Sequence, residues 1–367
     1  MVKYLLIENI RMNAFLLTRV LLQFQSEEDD LIEELSAVTR TPDGNLWVGS
    51  DEYLSLERLT PMGNNIYGGH KVFHLKDFID LFDHDSEVDI EGLDYSDGYI
   101  WVTGSHSFKR NKTKGKKPKK DIENLSEIER DPNRYLIARI PVLNGELVKT
   151  CTHSVDEENP LTAASVKKVD QHNLLIETLA EDEHLGKFLT MNIPSKDNGF
   201  DIEGLAVKDH KIFLGLRGPV LRGWAIIIEI ELENSAPGVL TFKDLGDGSY
   251  YRKHFLDLNG LGIRELCLNG DDLIILAGPT MDLEGAMQVF RLKNVLDYSH
   301  NSLWEQESDG LETLFNLPFT IGSDHAEGLA LYLCLGYENA LMIVYDSPNE
   351  NRRPQDHSIF ADVFRLP

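Results

Sequence analysis

No run of eighteen apolar residues occurs in the chain, so no segment reads as a transmembrane helix. The apolar patch near the N-terminus is interrupted by Glu8 and Arg11 and lacks the continuous core of a secretory signal. Cysteine is scarce: Cys151, Cys267 and Cys334 are odd in number, far apart and set among apolar residues. That excludes a disulfide framework and a Cys-based zinc site, and it points to a reducing, cytoplasmic compartment. Basic residues are also in deficit, with 36 Lys and Arg against 61 Asp and Glu and a net charge of −25. Such a field repels nucleic acid and acidic membranes over most of the surface. The exception is KRNKTKGKKPKK at residues 109–120, where eight basic residues occur with no acid. It reads as a solvated loop, and as the one place where a polyanion or nucleic acid could attach. No G-x-S-x-G elbow, P-loop or Cys-x-x-Cys pair is present.

What is present is a globular composition, 42% hydrophobic and 26% charged, able to bury a core. It carries an internal repeat in which an apolar strand, a tight polar turn and a second apolar strand recur. The copies are LSAVTRTPDGNLWVGSDE (35–52), DIEGLDYSDGYIWVTGSHS (89–107), DIEGLAVKDHKIFLGLRGP (201–219) and GIRELCLNGDDLIILAGPT (262–280). A looser copy starts at HAEGLALY (325–332) and returns through LMIVYD (341–346). Alternating apolar residues around such turns predict β-hairpins. Further strands are predicted at 53–59 and 71–75, 135–140 and 146–150, 224–232 and 239–245, and 287–292 and 311–317. Four strands per unit around a ring define an all-β, closed β-propeller. Ser36, Glu91, Glu203, Arg264 and Glu327 mark the inner strands and predict five blades. The interval from Glu91 to Glu203 is about twice the others, so six blades is the alternative. The five-blade reading fills that interval with a basic loop insertion at 109–133 and a short helical insertion at about 173–189. One domain is expected over 18–367, with 1–17 as an N-terminal extension. Residues 18–24 and 362–367 are expected to complete the last blade and remove its open edge.

Propeller geometry gathers distant residues. Inner-strand starts bring Asp89, Glu91, Asp201, Glu203, Arg264, His325 and Glu327 to one mouth of the channel. Second-strand ends add Asp51, Glu52, Ser105, His106, Arg217 and Asp346, and Arg222 follows closely. In each Asp-x-Glu or His-x-Glu the two polar side chains share a face, because the strand period is two. Crowded carboxylates need protons, arginines or a cation. Asp89, Glu91, Asp201, Glu203 and Glu327 therefore suit a divalent cation, Ca²⁺ or Mg²⁺ before Zn²⁺ or Mn²⁺. Glu91, Glu203, Glu327, His106 and His325 are the candidates for proton transfer, and Arg217, Arg222 and Arg264 for holding an anionic substrate. The structural alternative has these glutamates accepting backbone N–H groups from a neighbouring blade, with the glycine after each allowing close strand approach.

At DIEGLAV, GLRGPVLRGWA and the preceding PSKDNG the chain resembles a bacterial family known as domain of unknown function 3616, over about residues 35–345. That resemblance implies a propeller related to phytase-like and esterase-like propellers with Asp-x-Glu-Gly-Leu strands. Two functions are expected from residues and resemblance together. One is a metal-assisted hydrolase of a phosphate or carboxylic ester with a small anionic substrate. The other is a non-catalytic propeller that binds a protein or small ligand.

Overall fold

A computed structural model describes residues 15–25, 31–84, 86–113, 115, 117–152, 158–281, 283–306, 308–318, 320–334 and 336–367. The fold is all-β and propeller-like. The chain starts with β1 (Leu16–Gln23), whose partners come from the far end of the sequence. The first ladder then runs outward through β2 (Leu35–Arg40), β3 (Leu46–Ser50), β4 (Ser55–Gly63) and β5 (Ile66–His74). The second comprises β6 (Ile90–Ser96), β7 (Tyr99–Gly104), β8 (Ile137–Leu143) and β9 (Ala164–Val166). In the third, β10 (Asp201–Lys208), β11 (Lys211–Gly218) and β12 (Trp224–Ala236) precede β13 (Val239–Phe242) and β14 (Tyr251–Asp257), both of which pair with β12. The fourth is β15 (Gly262–Asn269), β16 (Asp272–Gly278), β17 (Met287–Leu292) and β19 (Leu311–Leu317), while β18 (Ser302–Trp304) crosses over to pair with β14. The last ladder is β20 (His325–Cys334), β21 (Tyr337–Asp346) and β22 (Ser358–Arg365), with β1 as its outer strand. β1 also touches β5 in parallel at Leu21 and Leu22, so the first and last ladders continue as one eight-stranded sheet.

Local chemistry sets the hairpins. Between β6 and β7 only Asp97 and Gly98 intervene, at φ 49° and 82°. This is the left-handed pair that an Asp-Gly turn supplies and that matches strand twist. The inner strands β2, β6, β10, β15 and β20 touch in a closed cycle. Apolar side chains fill the seams between successive ladders: Leu205, Leu214 and Ile226 pack with Trp101 and Ile137, and Leu276 and Val289 with Leu329 and Ile343. Two glycines of the repeat explain how the inner strands come so near. A Cβ on Gly92 would lie 2.6 Å from Leu205 Cβ, and one on Gly204 2.7 Å from Leu266 Cγ. Side chains also cross the seams. Asp94 Oδ2 accepts from Val207 N at 2.7 Å, and Glu265 Oε1 accepts from Leu205 N at 3.0 Å.

Several expectations need correction. Residues 146–147 form only a two-residue pairing with β8, and β9 takes the outer position instead. The main fourth strand of the third ladder is β14, not 239–245; β13 instead joins β9 in parallel. The sequence Arg252-Lys253-His254 hides β14, because these charges are buried in ion pairs with Glu229 and Asp182. The helical insertion is two short helices, α2 (Leu174–Leu179) and α3 (Gly186–Thr190). Asn173 breaks the chain into α2 by accepting from the N–H groups of Leu175 and Ile176. Among the described residues, strand pairings between 150 and 200 outside β9 are two residues long. The basic segment is not wholly a free loop. Lys109–Arg110 pairs with Ile128–Glu129, and α1 (Pro118–Asn124) lies between, while Lys114 and Lys116 fall outside the described residues. Its acidic neighbours hold its base, with Arg110 on Asp197 at 2.6 Å and Lys109 on Glu87 at 3.4 Å. Of the N-terminal extension, residues 1–14 are likewise outside, and β1 begins at Leu16, inside the stretch assigned to it. Cys151, Cys267 and Cys334 are free thiols. Among the described residues, no helix is long and apolar enough to cross a membrane.

Candidate functional site

A cavity of about 450 Å³ opens at one mouth of the channel. Inner-strand starts and second-strand ends meet there because β10 pairs with β11 from Asp201 to Gly218, and β20 with β21 from His325 to Asp346. Thirteen carboxylates and seven Lys or Arg residues line it among the described residues. The excess of acid favours cations.

Its floor is a chain of ion pairs across three ladders. Arg217 from β11 reaches Asp201 at 2.5 Å and Glu203 at 2.6 Å. Arg264 from β15 reaches Glu203 at 3.1 Å and also grips Glu327 on β20. Glu203 is 2% exposed and lies between two guanidiniums. A separate pair holds the second ladder's acid. Arg134, buried, contacts Asp89 at 2.9 Å, Glu87 at 3.1 Å and Ser107 Oγ at 3.2 Å.

Glu91 is different. It lines the cavity half-buried and, among the described residues, has no Lys, Arg or His within ion-pair distance. Burial, with Glu203 and Asp89 close by, pushes its carboxyl well above the usual range. Burial likewise raises Asp51 to about 8, helped by Asp89, Glu327 and Asp346, and its Oδ1 has no hydrogen-bond partner among the described residues. Glu327 rises to about 7 through burial, against the pull of Arg264, and Asp201 to about 7 through burial, against Arg217. His325 lies between Asp346 and Glu284, 3.4 Å from each, and its hydrogen bond to Asp346 raises its pKa.

The structure thus brings together Asp89, Glu91, Asp201, Glu203, Arg217, Arg264, His325 and Glu327 as lining residues. Two candidates lie elsewhere. His106 has no exposed surface. Its Nδ1 bonds the Gly104 carbonyl and its Nε2 accepts from Asn173, and burial lowers its pKa to about 4. It is a neutral packing histidine, because the cap residue of α2 claims its second nitrogen. Arg222 is exposed and does not line the cavity, since β11 ends at Gly218 and the chain turns outward before β12.

The metal ligand set Asp89, Glu91, Asp201, Glu203 and Glu327 meets a competitor: arginines hold every member except Glu91. Among the described residues, no three His, Cys, Asp or Glu side chains are grouped closely enough to hold a metal ion. The cross-blade acceptor role foreseen for the motif glutamates belongs to Asp94 and Glu265 instead. Sequence reasoning missed Arg134, Glu87 and Glu265. Arg134 follows the basic insertion in no motif, and Glu265 stands where three of the other four copies carry glycine and the first carries Ala37, a departure that was the available signal.

No curated protein matches the chain. Among solved structures it is similar to Kuenenia stuttgartiensis hydrazine synthase at 8% identity, covering 87% of this chain and 58% of that one, with a TM-score of 0.34. It is similar to virginiamycin B lyase from Staphylococcus aureus at 10% identity over 95% and 99% of the two chains, TM-score 0.37. It is also similar to the PQQ-bound aldose sugar dehydrogenase of Streptomyces coelicolor at 12% identity over 96% and 99%, TM-score 0.35. The family model described as protein of unknown function (DUF3616) matches residues 34–362, and the chain belongs to that family.

Proposed function

We propose that the chain is a five-bladed propeller whose channel mouth is the active site of a hydrolase for a small phosphate or carboxylic ester. The closed cycle β2–β6–β10–β15–β20 and the ladders behind it support the blade count. The functional reading is carried by Glu91, a cavity-lining carboxyl that burial pushes well above its usual range and that, among the described residues, has no Lys, Arg or His within ion-pair distance. A carboxyl raised in this way is suited to donate a proton to a leaving oxygen. Glu327, near 7, can accept one from the attacking water. Water oxygen then bonds to phosphorus or carbonyl carbon as the ester bond breaks, and the alcohol leaves carrying Glu91's proton. Arg217 and Arg264 line the cavity, and the substrate's anionic group would compete with Asp201, Glu203 and Glu327 for them. This relay needs no divalent cation, and among the described residues no three ligands are grouped to hold one.

The test is a panel of chromogenic phosphate and carboxylic esters, run with Mg²⁺, Ca²⁺, Mn²⁺, Zn²⁺ or chelator. Glu91→Gln should cut kcat/KM by about 100-fold or more while the melting temperature holds or rises. An unaffected variant, or folded wild-type protein that turns over no ester, sinks the reading. A second reading has one observation in its favour: Arg264 ties Glu203 to Glu327 across three blades. On it, the carboxylates staple the ring of a binding scaffold, and Glu91→Gln changes stability alone.

A further inference from the structure

On the far side of the third blade, strand pairing aligns a second set of reactive groups. Glu229 on β12 pairs with Arg252 on β14, and His254, two residues on, shares the same sheet face. β18, from the next blade's connection, lays Ser302 opposite His254. His254 Nδ1 lies 2.7 Å from Ser302 Oγ, and its Nε2 lies 3.0 Å from Glu229 Oε2. Glu229 and His254 have no exposed surface, and Ser302 is half-buried.

The hydrogen bonds fix the roles. Lys211 at 3.2 Å and Arg252 at 3.0 Å attend Glu229 Oε1. Burial alone would push Glu229 up, but its bond to His254 and the charge of Lys211 hold it below its usual value. An ionised Glu229 can only accept, so it takes the Nε2–H of His254. Nδ1 then bears the lone pair and accepts the Ser302 hydroxyl proton. Trp304 Nε1 donates to the same Ser302 oxygen at 2.8 Å. A hydroxyl facing a base that a carboxylate orients is the arrangement of an activated serine.

We propose that Ser302, His254 and Glu229 form a second reactive centre that takes an acyl group from an apolar carboxylic ester. The surroundings set that substrate class. Tyr298 and Trp304 stack at 5.0 Å and 18°, and Trp304, two residues on from Ser302, shares its face of β18, giving an apolar platform next to the hydroxyl. Ser302 Oγ bonds to the carbonyl carbon and its proton passes to His254 Nδ1. The alcohol leaves with that proton, and water releases the acid from the acyl-serine by the same relay. Glu229 is a positioning residue and touches no substrate.

The test is covalent labelling with an alkyl fluorophosphonate, in which Oγ bonds to phosphorus and fluoride departs, followed by peptide mass spectrometry. Native protein should carry the label on Ser302, heat-denatured protein should not, and Ser302→Ala should take none there. Glu229→Gln, checked for a native circular dichroism spectrum, should label at least tenfold more slowly. The native-versus-denatured comparison decides the question even where that variant does not fold. Native protein free of label at Ser302, equal labelling after denaturation, or a folded Glu229→Gln labelling at the wild-type rate overturns the proposal. Glu91→Gln should label as wild type does, so failure at the channel mouth stays separate from failure here.

Discussion

Glu203 is the residue on which the channel mouth turns. It is buried, so its charge is tolerable only because Arg217 and Arg264 share it. Removing one partner from such a group costs more than removing the whole set, because the charge left behind has lost its water. Arg264→Met should therefore destabilise the protein by about 3–5 kcal/mol in urea unfolding. Adding Glu203→Gln to that variant should restore part of the loss. If Arg264→Met is neutral, the ion pairs are not what holds these carboxylates. Most of this chain of charges was legible in the sequence, since the repeat placed Glu203, Arg264 and Glu327 at equivalent inner-strand positions around one axis. The repeat could not say which charge meets which. Arg134, which serves Asp89, comes from no repeat position and had no pattern to reveal it. His106 stood at a second-strand end, as the repeat required, yet Asn173 from an insertion 67 residues away turned it into a packing group.

At the scale of strands, the glycine that follows each motif glutamate decides how near neighbouring inner strands come. Gly204→Ala puts a Cβ 2.7 Å from Leu266 Cγ and 3.2 Å from Leu266 N, and the backbone atom cannot swing aside. The expected cost is about 1–3 kcal/mol, read from the unfolding midpoint, because overpacking forces a backbone shift. Gly223→Ala is the control for space, since nothing lies within 4 Å there, although its φ of 95° carries a strain of its own. A Gly204→Ala protein as stable as wild type would mean that the seam has slack. Inner hairpins were legible because alternation and turn residues agree in them, and the pairing of β1 with β22 was legible as the need to close a ring. β14 was not, because Arg252, Lys253 and His254 look like loop residues until Glu229 and Asp182 are seen opposite them. β9 escaped notice for a different reason: three residues are too few to show a period.

The whole molecule should lose stability as neutral solution becomes alkaline. Four carboxyls, Asp201 buried and the others half-buried, sit far above their ordinary values: Asp51 at about 8, and Asp94, Asp201 and Glu327 at about 7. Between its ordinary value near 4 and its folded value, each binds a proton in the native state that the unfolded chain has released. Stability then falls with rising pH across that window. His106 opposes this. Its folded value of about 4 lies below its ordinary 6.5, so the native state gains stability as pH rises from 4 to 6.5. His325, raised by Asp346, again loses stability as pH climbs through its folded value. The opposing slopes meet below pH 6.5, and above it the raised carboxyls act with His325 and without His106. Calorimetry at pH 6.5 and pH 8 should show the melting temperature falling by a few degrees, and Asp51→Asn should flatten the fall and raise the value at pH 8. Each proton released also adds to a net charge of −25, so a second contribution comes from repulsion across the surface. Salt separates the two, because it screens exposed charges over distances beyond the Debye length and buried ones much less. If the fall persists in high salt and disappears with Asp51→Asn, its source is the channel mouth. A melting temperature that rises from pH 6.5 to 8 would mean that these carboxyls are ionised in the native state at neutrality, and Glu91 would lose its standing as the proton donor.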